Sequence, residues 1–394
     1  MVQEWVDEGR IPGAVLTVWR RGEPLLEQAY GSAQTHSYGT GQYREGPSGP
    51  TNVGIEPLPI AVPMAMETVF DLASLTKVMA TTMAVAILVD RDGLELDAPV
   101  SRYLPDFVQD GREGVTIEHL LTHRSGLPQW KPTYYHADDA DEAYAYLRSV
   151  PLEWPIGEGR HYSDLGFMLL GRIIETVAGS TLDAFVLNEL YRPLGLTATG
   201  FGGAATASSP GTDGRGYAAT SHGNPFEHRM VHDPDFGYRI EGDPTAWNGW
   251  RRYTLVGEVN DGNAHHAYGG VAGHAGLFST ARELQVILRV LLDDGEVDGR
   301  RYLGREVVDR FLESTGDGQA LGWQVPEYGP ASAFSHTGFT GTFVLGDRAS
   351  GVGLVLLTNR QNGGVDAATQ YPDLAALQRG VALAITGGDR PDGG

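Results

Sequence analysis

Two residues of this chain stand out for their types and spacing. Ser74 and Lys77 lie three apart at the head of DLASLTKVMATTMAVAILVD, residues 71–90, a run that is otherwise almost wholly apolar. On a helix, positions i and i+3 share a face, so the hydroxyl and the amine can meet. A capping box would place Glu or Gln at the third position after the serine. A lysine there faces the positive end of the helix dipole, at a cost of about a few tenths of a kcal/mol. Its neighbours Leu72, Ala73, Leu75, Val78 and Met79 would also bury it. Both effects favour the neutral amine, which can take the proton of a serine that attacks a carbonyl. The N–H groups at the helix start could then hold the oxyanion. The same tetrad also reads as a capping serine followed by a lysine whose stem snorkels to solvent, and S-x-x-K alone leaves both readings open.

The surrounding elements must hold these two residues in place. A short helix is expected at 2–8, then a hairpin of strands 14–19 and 25–30 around a turn at Gly22. Residues 31–66, crowded with Gly and Pro, read as a long surface loop. The opening stretch forms a helix over 74–90, closed by Gly93. Thr116 caps IEHLLTH, Asp141 begins EAYAYLRSV, and Ser163 and Asp164 precede LGFMLLGRIIETVAG, which ends at Gly179. Residues 200–275 read as irregular. Thr280 opens ARELQVILRVLLDDG, strands follow at 342–345 and 352–357, and a last helix spans 374–385. Strands at both ends with helices between predict an α+β fold: one antiparallel sheet formed by both chain ends, flanked by helices, with an inserted, mainly helical region. The chain is read as a single catalytic unit, its α/β part at about 1–95 and 275–394 and its inserted helical part at about 96–274.

Composition narrows the functional classes. The chain has 394 residues, 41% hydrophobic and 20% charged, which describes a globular protein with a sizeable core. Its formal charge of −21 repels nucleic acid and anionic lipid, so neither is an expected partner. With no cysteine, thiol catalysis and thiolate metal sites are excluded. The start MVQEWVDEGRIPG lacks the basic and apolar regions of a secretory signal, and the apolar run 78–89 is too short for a bilayer span. The expectation is a cytoplasmic protein acting on a small molecule, with its oligomeric state left open.

Beyond the tetrad, DLASLTK together with LLTHRSGLP at 120–128 resembles the serine β-lactamase and penicillin-binding protein superfamily, above all its class C β-lactamase and family VIII-type esterase branch. GGVAGHAGLFSTARELQ at 269–285 is similar to a further segment of that superfamily. The resemblance implies the transpeptidase-like fold and acyl-enzyme chemistry, with Ser74 as nucleophile. It assigns Tyr162 of HYSDLGFMLLG, 88 residues after Ser74, to share the nucleophile's proton with Lys77. A nearby ammonium would lower the phenol's pKa for that task. In FSHTGFTG, on an expected edge strand, it gives His336, Thr337 and Gly338 to substrate orientation, and the backbone N–H of Phe339 to the oxyanion hole opposite that of Ser74. The glycines let a substrate backbone approach.

Two positions depart from the β-lactam-recognising pattern. Asp164 stands where an asparagine would donate to a substrate carbonyl, although it could equally cap the helix that follows. His336 replaces a lysine that would carry a fixed charge. Both changes weaken attraction for a carboxylate-bearing ligand. The expected activity is therefore hydrolysis of a carboxylic ester or small amide, with a β-lactamase or D-alanyl-D-alanine peptidase as the rival enzyme and a non-catalytic sensor as the rival outside enzymology. His119 and His123 lack the Glu of H-E-x-x-H. His222, His228 and His232, and His265, His266 and His274, have no regular spacing, so neither metal nor cofactor is expected. Trp130, Trp154, Trp247 and Trp250 are candidates for an apolar pocket or for the core.

Overall fold

The computed structural model describes residues 1–39, 45–46, 49–50, 54–108, 111–203, 216–236, 238, 240 and 242–387. Its frame is a six-stranded sheet built from both ends of the chain, as the sequence predicts. In chain order the strands are β1 (Gly13–Arg20), β2 (Glu23–Tyr38), β3 (Ile55–Pro63), β4 (Ala333–Gly338), β5 (Thr342–Asp347) and β6 (Val352–Thr358). Their spatial order is β4-β5-β6-β1-β2-β3, every pairing antiparallel. The register sets Val15 opposite Leu357 and Leu16 opposite Leu356, which joins the N-terminal hairpin to the C-terminal meander.

Alternation along the central strands buries both faces. Ala14, Leu16, Val18, Leu354 and Leu356 pack against α1 (Val2–Asp7) and the final helix (Ala375–Thr386). Val15, Val355 and Leu357 point the other way, into the main core with Leu284, Ile287 and Leu288 of the helix Ala281–Leu292. Each such side chain contributes on the order of 1.5–3 kcal/mol of burial free energy. A polar intrusion among them is matched: Gln285 donates through Nε2 to Thr17 Oγ1 at 3.0 Å and to the Gly353 carbonyl at 3.1 Å.

The loop expected over 31–66 is corrected. β2 runs on to Tyr38 and β3 pairs with it at the sheet edge, Glu45–Gly46 pairs with Gly49–Pro50, and residues 40–44, 47–48 and 51–53 lie outside the described residues. Pro57, Pro59 and Pro63 argue for a loop in sequence, but an edge strand tolerates proline because its outer N–H groups are not needed for pairing. The irregular reading of 200–275 is also corrected, by helices Pro225–His232 and Gly262–Ala267 and by the paired strands Ala219–His222 and Thr254–Val256.

The apolar stretch at 71–90 forms one helical rod, Ala73–Asp90: a 3₁₀ turn (Ala73–Leu75), a π turn (Lys77–Thr81) and an α-helix (Thr82–Asp90). It has the length and apolarity of a membrane span, yet 83% of it is buried inside the protein, as in the core helix of a globular fold. Against it packs the helix Asp164–Ala178, whose N-cap is Ser163, with Oγ accepting from the Gly166 N–H at 3.3 Å. Asp164 is thus the first helical residue and not the cap, which leaves its carboxylate for another purpose.

Candidate active site

The turn that carries Ser74 is tightly fixed. Ala73 takes φ 45°, a left-handed conformation that a side chain adopts only when its surroundings enforce it. Here the enforcing group is the buried Asp71 carboxylate, which accepts from the Ala73 N–H at 2.8 Å and from the Asn260 N–H at 2.6 Å. Burial pushes the Asp71 carboxyl up to about 6 despite these bonds. The loop after β4 is tied to the same turn: Thr340 Oγ1 donates to the Asp71 carbonyl at 2.8 Å, and Thr342 Oγ1 to that of Leu72 at 3.0 Å. A Cβ on Gly338 would stand 2.4 Å from the Leu72 carbonyl oxygen, so glycine is what lets the strand end approach the turn.

This arrangement sets Ser74 beside Phe339. The backbone N–H of Phe339 donates to no group among the described residues. The Phe339 carbonyl, by contrast, is gripped by the Arg360 guanidinium at 2.7 and 3.1 Å and by Gln361 Nε2 at 3.3 Å. That grip fixes the orientation of the residue.

Lys77 Nζ lies 3.0 Å from Ser74 Oγ and donates to the His274 carbonyl at 3.2 Å. Its side chain is 0% exposed and forms an ion pair with Asp164 Oδ1 at 2.7 Å. The expected lowering of the lysine pKa is therefore corrected. Burial pulls it down, but the Asp164 carboxylate and the Tyr162 phenol pull harder the other way, and Lys77 is pushed up to about 12. The Tyr162 phenol interacts with both Lys77 and Ser74, and Lys77 lies 4.9 Å from its ring centroid. Burial raises the phenol above its ordinary value even against the ammonium, which corrects the expectation of a lowered one.

His336, expected on the substrate-facing side, is 1% exposed and lines neither cavity beside Ser74. Its Nδ1 contacts the Thr337 carbonyl at 2.8 Å and its ring packs 6.1 Å from that of Tyr162. Burial and the Lys77 charge push it down to about 3, so it is neutral and puts no charge on the strand. Thr337, Gly338 and Phe339 do reach the cavity surface.

Sequence reasoning passed over three participants. His123, weighed only as half of a zinc pair, packs tilted with its ring 4.5 Å from that of Tyr162 and accepts from the Ser163 N–H at 3.0 Å. Asp261 lies 2.9 Å from His274 Nε2 and caps the helix Gly262–Ala267. Arg160, two residues before Tyr162, lines a cavity with Ser74. Its proximity to the tyrosine in sequence was the one available signal. Of the tryptophans, Trp130 lines a cavity, Trp247 and Trp250 join Tyr134 in an apolar cluster, and Trp154 stacks on His161 at 3.8 Å. Of the remaining histidines, His228 stacks on His232 at 3.9 Å and His265 meets His266 edge-on at 4.5 Å, and no group of three or more metal-ligating side chains occurs among the described residues.

Ser74 sits between two cavities. One, of about 300 Å³, has an aromatic wall of Trp130, Phe226, Tyr238, Phe339 and Tyr371, with Asn224 and Asn260 as polar points. The other, of about 460 Å³, is lined by Arg160, Gln324, Thr337 and Gln378. A serine hydroxyl, a buried lysine and a phenol brought together between such cavities can perform acyl transfer.

The beta-lactamase family model matches residues 1–379. The chain belongs to the beta-lactamase family. Among relatives of this beta-lactamase family member, an N-acetylmuramyl-L-alanine amidase of Bacillus subtilis (strain 168) is 32% identical over 376 residues, covering 89% of this chain and 78% of that protein. A protein of Escherichia coli (strain K12), named provisionally as a D-alanyl-D-alanine carboxypeptidase, is 30% identical over 333 residues, with 78% and 72% covered. In fold, the family member matches a family VIII carboxylesterase with a TM-score of 0.67 at 20% identity, over 96% of this chain and 93% of the other. Like its family, it is a serine hydrolase.

Proposed function

We propose that this serine hydrolase works through an acyl-enzyme on a carboxylic ester or small amide, with Ser74 as nucleophile. The observation that carries this reading is the buried line of contacts from Ser74 Oγ to Lys77 Nζ at 3.0 Å and on to Asp164 Oδ1 at 2.7 Å. The resting pair is ionic, so the base must be generated. Asp164 is 18% exposed, and a substrate filling the aromatic cavity strips its remaining water. With both charges desolvated, transfer of one Lys77 proton to Asp164 yields a neutral amine and a carboxylic acid. The amine then takes the Ser74 proton as Oγ bonds to the substrate carbonyl carbon. The electron pair of the carbonyl moves to its oxygen, which the N–H groups of Ser74 and Phe339 would hold. On collapse the bond to the leaving group breaks, Tyr162 gives that group a proton, and Lys77 restores the phenol. Water repeats the sequence to release the acid.

The names of the relatives support an amide substrate, and the carboxylesterase neighbour supports an ester. The neutral His336 leaves the edge strand without the charge that a β-lactam-recognising site of this type would place there. The test combines a fluorophosphonate label with a rate panel of a short-chain nitrophenyl ester, nitrocefin and a D-Ala-D-Ala peptide. Ser74 should be labelled, Lys77→Ala should abolish labelling, and the ester or the peptide should outrun nitrocefin. A folded protein that resists the label would be a binding protein, and rapid nitrocefin turnover would mark a β-lactamase.

A further inference from the structure

Behind Lys77 lies a second buried acid–base contact that the proposed reaction does not use. The Lys77 ammonium donates to the His274 carbonyl at 3.2 Å, and the His274 imidazole is buried with Nε2 2.9 Å from Asp261 Oδ1. Burial raises the Asp261 carboxyl, but the His274 contact and the Ala264 N–H pull it further down, so it stays a carboxylate. A carboxylate only accepts, so Nε2 carries the proton and donates it to this bond. The other ring nitrogen, Nδ1, is buried and has no hydrogen-bond partner among the described residues. Among those residues, Asp261 is the polar group that orients the ring. The chain on either side is tied to the Ser74 rod: the Gly273 carbonyl accepts from Thr81 Oγ1 at 2.6 Å, and the Leu277 N–H donates to Thr76 Oγ1 at 3.1 Å. Between those ties Gly276 takes φ 110°, a conformation in which the backbone has little preference of its own. The imidazole is the largest side chain in that gap, and it turns the carbonyl that Lys77 meets.

We propose that His274, held by Asp261, is a positioning residue that turns the neutral Lys77 amine toward Ser74. The inference rests on the reading of Ser74 as nucleophile and Lys77 as its base. Nζ faces Ser74 Oγ at 3.0 Å, Asp164 Oδ1 at 2.7 Å and the His274 carbonyl at 3.2 Å. Once one proton has passed to Asp164, the amine keeps two N–H groups and a lone pair, and rotation about Cε–Nζ decides which oxygen the lone pair faces. A carbonyl has no proton to give, so a lone pair aimed at it is idle and repelled. An N–H committed to the His274 carbonyl therefore confines the lone pair to the side of Ser74 and Asp164. The same bond holds Nζ within reach of the serine. Without the imidazole the carbonyl can swing away, and both constraints are lost.

Lys77 and Lys131 are the chain's only lysines, so protein grown on isotope-labelled lysine gives one side-chain nitrogen signal for each by NMR. His274→Ala should shift the Lys77 signal and leave that of Lys131 in place. It should also lower kcat for a nitrophenyl ester by about tenfold or more while KM stays within about twofold. Asp261→Ala should act in the same way on the signal and on kcat. Asp261→Asn, whose amide oxygen can still accept from both His274 and Ala264, should recover most of both losses. Asp261 also lines the aromatic cavity, which is why kcat and the Lys77 signal are the readouts and binding is not. A thermal melt identifies any variant that has failed to fold, and the two Asp261 variants carry the test if His274→Ala is one. A Lys77 signal unmoved in the alanine variants, a kcat near the parent's, or a loss carried by KM overturns the proposal. So does an asparagine variant as slow as the alanine one. Fluorophosphonate labelling of the unaltered protein judges the nucleophile separately: if Ser74 resists the label, the hydrolase reading falls, and the Lys77 signal still decides whether His274 positions the lysine.

Discussion

At the scale of residues, the decisive feature is the ion pair between Lys77 and Asp164. A lysine buried alone would lose its proton easily, but one held 2.7 Å from a carboxylate keeps it. Replacing Asp164 with asparagine removes the group that holds the lysine charged and leaves burial, which acts in the opposite sense. The Lys77 pKa should then fall, and the amine should be free at lower pH. In the proposed mechanism the unaltered protein makes its base by proton transfer inside the ion pair, so no proton has to leave for solvent. Asp164→Asn has no carboxylate to take that proton, so its kcat/KM should follow loss of the Lys77 proton to solvent and go on rising with pH where the unaltered protein has levelled. A pH profile identical to the parent's would mean that Asp164 does not control the base.

At the scale of elements, the site depends on how closely β4 and its following loop approach the Ser74 turn. Thr340, Thr342 and Gly338 set that distance, the first two by hydrogen bonds to the turn's carbonyls and the glycine by the side chain it lacks. A Cβ at Gly338 would meet Thr342 Oγ1 at 2.1 Å as well as the Leu72 carbonyl. Gly338→Ala should therefore destabilise the fold by on the order of 1–3 kcal/mol, the usual cost of overpacking. It should also lower kcat, because the Phe339 N–H is carried away from the Ser74 N–H. Denaturant unfolding and single-turnover acylation read the two effects. An alanine variant as stable and as fast as the parent would show that the approach has slack.

At the scale of the whole molecule, the charge of −21 sets a field that opposes any anionic substrate. The repulsion acts over the distances that salt screens, whereas contacts inside the cleft are short and partly desolvated. Raising ionic strength from roughly 0.01 to 0.15 M shortens the Debye length from about 30 to about 8 Å. The kcat/KM for a free-acid peptide should rise over that range, and that for a neutral nitrophenyl ester should stay level. Stopped-flow or initial-rate measurements at several salt concentrations decide this, and a fall for the acid would place the local attraction above the global repulsion.

Much of this protein is legible in its sequence. Apolar periodicity and caps locate the helices Asp164–Ala178 and Ala281–Leu292, because a helix declares itself within about fifteen residues. The placement of strands at both ends is enough to anticipate the antiparallel sheet, and the motifs around Ser74, Tyr162 and Thr337 bring the right segments together. The edge strand β3 escapes, because its pairing with β2 is non-local and its prolines argue for a loop. What the sequence alone misjudges is the charge state of the site. Local reasoning gives Lys77 only its own helix and its own burial, and so predicts a neutral amine. The charge that governs it most stands on Asp164, far along the chain, and a Coulomb interaction depends on distance in space. The same reason hides Asp261: its hold on His274 exists only once the chain has folded around both. The sequence determines which groups this protein has for chemistry, and only the tertiary structure decides which of them carry charge and what they face.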